Sequence, residues 1–242
     1  MLPDDTPFSG SGAVDCQTVI TSRGVKLPDD PRYLSDRHRK LLKKNSYESK
    51  EADAALKAVK SSDIVMELGG GLGFMSSLIS MNSKPASYHL FEANPALIPY
   101  IRAVHGLNGL QGIDVQNAML GAKDAEAANF YVRHDFLASS MADDLGDANG
   151  GVARVEQVPV LAINAVMQRI KPSFLICDIE GAEASILPKA DLSSLRAVLI
   201  ELHPQTTGQS GIQAVFDVMH AHGLTYFPRA SEGKVVLFKK DW

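Results

Sequence analysis

The sequence predicts an α/β domain: a mostly parallel, seven-stranded sheet with helices on both faces and an antiparallel last strand. Three observations carry this. The short apolar runs at 64–68, 174–177 and 198–200 lack the alternation of half-solvated strands, so both of their faces should be covered. Helical apolar stripes fall between the strand-like runs, as parallel strands require crossovers that return over the sheet. The last two runs, 224–227 and 235–238, are joined through a connection at 229–233 that is too short for a helix, so the final strand should turn back.

Length and composition fit one such unit. The 242 residues, 45% hydrophobic and 21% charged, can bury a full core. They divide into an N-terminal extension over 1–45 and a main domain over 46–242. A net charge of −4 argues against a duplex nucleic-acid partner, which calls for a concentrated cationic face. The one basic cluster, Arg37-His38-Arg39-Lys40 with Lys43 and Lys44, reads as the solvated face of a short helix. Cys16 lies in a polar stretch and Cys177 in an apolar run. This pair is no disulfide framework, and a reducing, cytoplasmic setting is expected. Met1-Leu2-Pro3-Asp4-Asp5 lacks the basic and apolar regions of a signal peptide, and no apolar run approaches the ~20 residues of a membrane span.

Each element has a local reason. A small hairpin is expected from 19–21, Arg23-Gly24 and 25–27. A helix should follow from Ser46, capped by Asn45 with Glu48 as capping-box partner, its stripe formed by Ala52, Ala55, Leu56 and Val59. The strand at 64–68 ends in a glycine cluster, and a helix follows over 74–81. The next strand is 88–92, and Pro95 suits the first turn of a helix reaching His105. A third strand is expected at 115–118 and an additional edge strand at 129–132. The Asp/Gly-rich stretch 139–151 reads as a loop. A helix over 162–170, strands at 174–177 and 198–200, and a helix over 212–222 precede the closing hairpin.

The first candidate site is Glu67-Leu68-Gly69-Gly70-Gly71-Leu72-Gly73-Phe74, between a strand and a helix. Glycines there allow a tight turn and close approach of backbone to a ligand, and the helix N-terminus offers N–H groups to a carboxylate. A dinucleotide fingerprint would need a third glycine where Phe74 or Ser76 stands, and the lysine of a P-loop is missing. The spacing acid-x-Gly-x-Gly-x-Gly looks instead like the first motif of S-adenosylmethionine enzymes.

Charge points the same way. Four strands end in or beside the carboxylates Glu67, Glu92, Asp178 and Glu201. In open α/β sheets, ligands bind beyond these strand ends. A crevice so lined repels a triphosphate but suits a donor bearing a sulfonium, an ammonium and ribose hydroxyls. Glu92 is placed to accept from the ribose, with Ala93 beside it, and Asn117 and Ala118 are candidates for the adenine edge.

Asp178-Ile179-Glu180-Gly181-Ala182-Glu183 follows the strand at 174–177. Asp178 and Glu180, two apart in extended chain, should face one crevice, while Glu183 favours the dipole of the next helix. In Glu201-Leu202-His203-Pro204, His203 is either a proton carrier near neutral pH or a structural histidine with both ring nitrogens satisfied. Candidate general bases are Asp178, Glu180 and His203, in that order. Asp178 and Glu180 are also a candidate Mg2+ pair, since Mg2+ takes oxygen ligands and would orient a vicinal diol.

Together these residues resemble the FkbM-like methyltransferase family. The resemblance runs from Tyr47-Glu48 and Glu51 through the glycine run and Phe91-Glu92-Ala93-Asn94-Pro95 to the Asp178–Glu183 block. It implies a class I, Rossmann-like fold, S-adenosylmethionine as cofactor, and O-methylation of hydroxyls on sugars or other small natural products. One departure stands out: the family usually has lysine two residues before the aspartate, where this chain has Ile176. Two rival classes are weighed. A nicotinamide-dependent oxidoreductase is disfavoured by the missing third glycine. A catalytically silent glycan- or partner-binding domain is opposed by the intact glycine loop, Glu92 and the Asp178 block.

Overall fold

The computed structural model describes residues 13–133 and 152–242; the loop expected at 139–151 lies outside them. A hairpin of β1 (Val19–Ser22) and β2 (Val25–Pro28) opens the chain, followed by α1 (Asp36–Lys43) and α2 (Ser49–Ala58). The body comprises β3 (Ile64–Leu68), α3 (Phe74–Asn82), β4 (Ser87–Glu92), α4 (Ile98–Leu107) and β5 (Ile113–Asn117). Then come β6 (Met119–Gly121), β7 (Ala125–Arg133), β8 (Val152–Ala162), α5 (Ile163–Ile170), β9 (Phe174–Cys177) and α6 (Glu183–Ile186). The chain closes with β10 (Ala197–Glu201), α7 (Pro204–Ala221), β11 (Thr225–Tyr226) and β12 (Val235–Lys239).

The main sheet has seven strands in the order β11-β12-β10-β9-β3-β4-β5. β3, β4, β5, β9 and β10 pair in parallel, while β12 runs antiparallel to both β10 and β11. From β3 the chain steps one way to β4 and β5, then returns to the other side for β9 and β10. The β3–β9 junction is therefore the switch point beyond which an open α/β sheet binds ligands.

The continuous apolar strands follow from two covered faces. Val65, Phe174, Ile176 and Leu199 pack with α2, α3 and α4, whereas Met66, Leu68, Leu175, Cys177, Val198 and Ile200 pack with α5 and α7. The hairpin and α1 share the first of these cores through Ile20, Val25, Leu27 and Leu42. Tyr100 hydroxyl donates to Pro28 carbonyl at 2.7 Å, tying α4 to β2. No helix among the described residues is long and apolar enough to cross a membrane.

Four local expectations are corrected. The second helix starts at Ser49, because Asn45 and Glu48 adopt positive φ (57° and 44°) and make no capping box. Asn45 Oδ1 accepts from the backbone N–H of Arg23 instead. The capping box forms one helix earlier, between Ser35 and His38, which buries His38 within the basic cluster. Pro95 lies in a turn ahead of α4, where Asn94 Oδ1 accepts from the N–H of Ala96.

The run 129–132 belongs to β7, which is no edge of the main sheet but pairs with β8 in a second sheet of order β6-β8-β7. β8 was not expected from the sequence; it carries Pro159, a residue disfavoured within strands. The structure accommodates it at a shift in register, where the β7 pairing passes from Ala125 to Ala128 while β8 passes from Val160 to Val158.

Candidate functional site

A cavity of about 800 Å3 opens beyond the carboxyl ends of β3, β4, β9 and β10. At one end is the glycine loop. Gly69 has φ +88°, and a Cβ there would stand 1.8 Å from the carbonyl oxygen of Asp178. The loops after β3 and β9 thus meet backbone to backbone, which only glycine permits. Gly69 and Gly71 line the cavity. Gly70 and Gly73 instead pack closely on Leu90 and Ile101, and Phe74 is buried in the core with its ring edge-on to Tyr47.

Glu92, at the end of β4, lines this end and is only 6% exposed. Its Oε2 accepts from the N–H of Gly71 at 2.9 Å and its Oε1 from that of Asn94 at 2.7 Å. Burial pushes its carboxyl up, and these backbone donors act against that rise. The backbone N–H groups of Gly70 and Ala93 also bear on this carboxylate. Ala93 and Ala118 stand beside it. Asn117 serves from behind, its amide donating to the carbonyls of Glu92 and Ala93 at 2.9 and 3.0 Å. Met119, Leu120 and Phe130 also line this end, supplied by the second sheet that sequence patterns did not reveal.

Glu67 is the exception among the four strand-end acids. Strand alternation turns it to the face of Val65, away from the cavity. It is 2% exposed and accepts from the Tyr88 hydroxyl at 2.7 Å. Burial holds its carboxyl well above the usual range. Its partner in register on β9 is Ile176, the position of the missing family lysine, so a phenol rather than an ammonium serves this buried acid.

At the other end lie Asp178, Glu180, Glu201 and His203. Asp178 and Glu180 do face one space, but through a turn rather than extended chain, since Glu180 has φ +53°. That conformation costs on the order of 1 kcal/mol and persists only where surroundings impose it. His203 is 2% exposed. Its Nδ1 lies 3.2 Å from Glu183 Oε1, which also accepts from the His203 backbone N–H at 3.1 Å; Glu183 Oε2 accepts from the N–H of Gly181 at 2.8 Å. Glu183 therefore clamps the β9 loop to the β10 loop and aims the imidazole, beyond any service to its short helix. His203 Nε2 faces Asp178 Oδ1 at 3.5 Å and Glu180 Oε2 at 3.4 Å.

Burial raises the carboxyls of Asp178 and Glu180, and neighbouring acids, Glu201 foremost, raise Asp178 further. For His203, burial pulls down, but the bond to Glu183 and the charges of Glu180, Glu183 and Glu201 outweigh it, leaving the ring above its ordinary value. The α2 entrance contributes Tyr47, Glu48 and Glu51, whose lining role sequence spacing alone did not reveal. Burial, reinforced by Glu51 and Glu201, pushes Glu48 up to about 8.

This arrangement has known counterparts. The Methyltransferase FkbM domain matches residues 70–228. No curated protein matches the sequence significantly. Similar solved structures include P. horikoshii TYW2 in complex with MeSAdo, 14% identical with a TM-score of 0.51, over 94% of this chain and 73% of that one. Wild-type Trm5b from Pyrococcus abyssi is 12% identical with a TM-score of 0.51, over 95% of this chain and 57% of that one. At such identities the likeness is one of fold. The chain belongs to the FkbM-domain methyltransferases, and its seven-stranded sheet is the S-adenosylmethionine-dependent methyltransferase fold.

Proposed function

We propose that the protein methylates a hydroxyl oxygen of a small polyhydroxylated acceptor, a sugar or another natural product. The observation that carries this reading is the continuity of one cavity from Glu92 to the carboxylates around His203. S-adenosylmethionine, when bound, supplies an electrophilic methyl group on a sulfonium. Glu92 is suited to its ribose hydroxyls, Ala93 and Ala118 to its adenine, and Gly69 and Gly71 to its amino-acid end. The fit is supported by a buried carboxylate at the cavity wall and by the bare backbone at Gly69.

An attacking hydroxyl must lose its proton as the new C–O bond forms. Glu180 is the proposed acceptor of that proton, with Asp178 and His203 beside it; a placed base contributes about 10²–10⁴-fold. Burial keeps the Glu180 carboxyl above the ordinary range and so improves it as a base. The acceptor is proposed to be a small molecule rather than nucleic acid, given the net charge of −4. A reducing compartment such as the cytoplasm suits Cys16 and Cys177, both free thiols.

A thermal-shift comparison with S-adenosylhomocysteine, NAD and ATP tests the cofactor; stabilisation by S-adenosylhomocysteine alone is expected, and a response to NAD instead would overturn the reading. Methyl incorporation into sugar extracts, lost in Glu180→Gln with S-adenosylhomocysteine binding intact, tests the base.

A further inference from the structure

We propose that Asp178, Glu201 and His203 bind one divalent cation of the Mn2+ type, which holds two adjacent oxygens of the acceptor. This rests on the methyltransferase reading for its purpose, but the site stands on its own geometry.

The ligand atoms come from two neighbouring strand ends, β9 and β10, and all lie within 4.8 Å of one another. Ligands about 2.1 Å from a shared ion stand roughly 3–4 Å apart, so small side-chain adjustments complete the set. The imidazole is already oriented as metal-bound histidines are. Its Nδ1 is engaged by the buried Glu183, which leaves Nε2 directed at the carboxylates.

The spacing at Nε2 is informative. An imidazolium bonded directly to a carboxylate sits about 2.7–2.9 Å away. Here Nε2 stands 3.5 Å from Asp178 and 3.4 Å from Glu180, a gap that fits an interposed ion better than a direct bond. Asp178 Oδ1 is moreover buried with no hydrogen-bond partner, an arrangement that is costly until something positive meets it.

Tyr47, 5% exposed, lines the same cavity beside Glu48, and the charges of Glu48 and Asp178 both bear on its hydroxyl. Of the cationic side chains at the cavity wall, Lys50 is engaged by Glu232 at 3.0 Å, Lys234 bears on Glu180, and Arg37 lines the cavity from α1.

The donor set selects the metal. One imidazole nitrogen with two carboxylates suits Mn2+ and its first-row neighbours better than Mg2+, which favours oxygen throughout. Three protein ligands leave positions open in a six-coordinate shell. A vicinal diol or an α-hydroxy acid fills two of them with adjacent oxygens, which narrows the acceptor class.

Electron paramagnetic resonance of free Mn2+, titrated into the full-length protein, tests the proposal, with S-adenosylhomocysteine thermal shift run on the same samples. One Mn2+ site is expected, weakened at least ~10-fold in Glu201→Gln and in His203→Ala, and unchanged in Asp217→Asn, an exposed carboxylate on α7 outside the cavity. Glu201→Gln keeps the side-chain shape and secures a folded variant. No Mn2+ uptake by protein that binds S-adenosylhomocysteine would overturn the cation site and leave the transferase reading intact. Wild-type Mn2+ affinity in Glu201→Gln and His203→Ala would overturn it equally. Mn2+ binding without any response to S-adenosylhomocysteine would uphold the site and remove the transferase reading.

Discussion

The carbonyl oxygen of Asp178 occupies the place where a side chain on Gly69 would begin, 1.8 Å from a Cβ built there. This contact ties the glycine loop after β3 to the Asp178 cluster after β9 at the switch point of the sheet, so the two ends of the cavity share one backbone junction. Gly69→Ala must both part these backbones and accept φ +88°. We expect a loss of about 2–4 kcal/mol in denaturant unfolding, in the range of overpacking plus backbone strain. The thermal response to S-adenosylhomocysteine should disappear with it. Full cofactor binding in this variant would show that the junction is not what shapes the loop.

Glu92 offers a sharper test of the cofactor end. Its two oxygens accept from the N–H groups of Gly71 and Asn94. In Glu92→Gln, the amide nitrogen must face one of these donors, so even the isosteric change loosens the loop. Loss of charged hydrogen bonds worth about 1.5–3 kcal/mol corresponds to roughly 10–100-fold weaker binding of S-adenosylhomocysteine by calorimetry. Mn2+ affinity should stay unchanged, because the cation site lies at the other end of the cavity.

Glu183 stays out of the cavity lining and touches it through its bond to His203; under the proposed function it is a positioning residue. Glu183→Gln puts an amide against donors at Gly181 or His203 and frees the ring to rotate. Turnover should fall about 10–100-fold, as for other groups that orient a functional histidine. The KM for the methyl donor should hold. A drop confined to stability, with turnover per folded molecule preserved, would reduce Glu183 to a structural clamp.

The legible parts of the fold were those whose cause is local. β3, β9 and β10 declare themselves by apolar runs, and the short 229–233 connection fixes the direction of β12. Glu92, Gly69 and Asp178 could be found because strand ends and glycine spacing are written in order along the chain. Glu67 could not be placed correctly, since a strand-end acid turns toward or away from the crevice by a single residue of alternation. β8 was not expected, and it carries Pro159, whose tolerance depends on a register shift in its partner. Glu48 and Tyr47 line the cavity from the turn before α2, where Glu48 takes a positive φ; the family resemblance included both, but local spacing assigned Glu48 to a capping box.

Stability at acid pH should trace to the opposite end of the sheet. Asp63, 1% exposed, accepts from Arg196 Nε, the backbone N–H of Lys60 and the Ser173 hydroxyl, each at 2.7 Å. Burial pushes its carboxyl up, but the bonds from Arg196, Lys60 and Ser173 prevail and hold it below the ordinary value. A carboxyl lowered by folding adds stability above its unfolded pKa of about 3.9, and this is lost as pH falls through the folded value. Asp63→Asn should cost about 2–3 kcal/mol at pH 7, the low side for a broken buried pair because Arg196 keeps contact with water. Urea unfolding should show the two proteins converging as pH falls below the unfolded value of about 3.9.

Glu48 should give the opposite pH trend. Its folded pKa of about 8 arises first from burial and then from Glu51 and Glu201, with Tyr47 acting to lower it. Its charge in turn weighs on Asp178 and Glu67. The folded state therefore holds a proton that the unfolded chain releases near pH 4.3, so this group's contribution is greatest at low pH and falls as pH rises toward 8. Glu48→Gln removes the titrating group while keeping its shape. The variant should gain on wild type steadily from pH 5 to 8, by on the order of 1 kcal/mol per pH unit, and stay level above that. A ligand bearing positive charge should shrink the gain, because it stabilises the ionised carboxylate that the glutamine lacks. Thermal unfolding of both proteins across pH 5–9, with and without Mn2+, reads both effects; a difference that is flat with pH would mean that Glu48 stays ionised throughout.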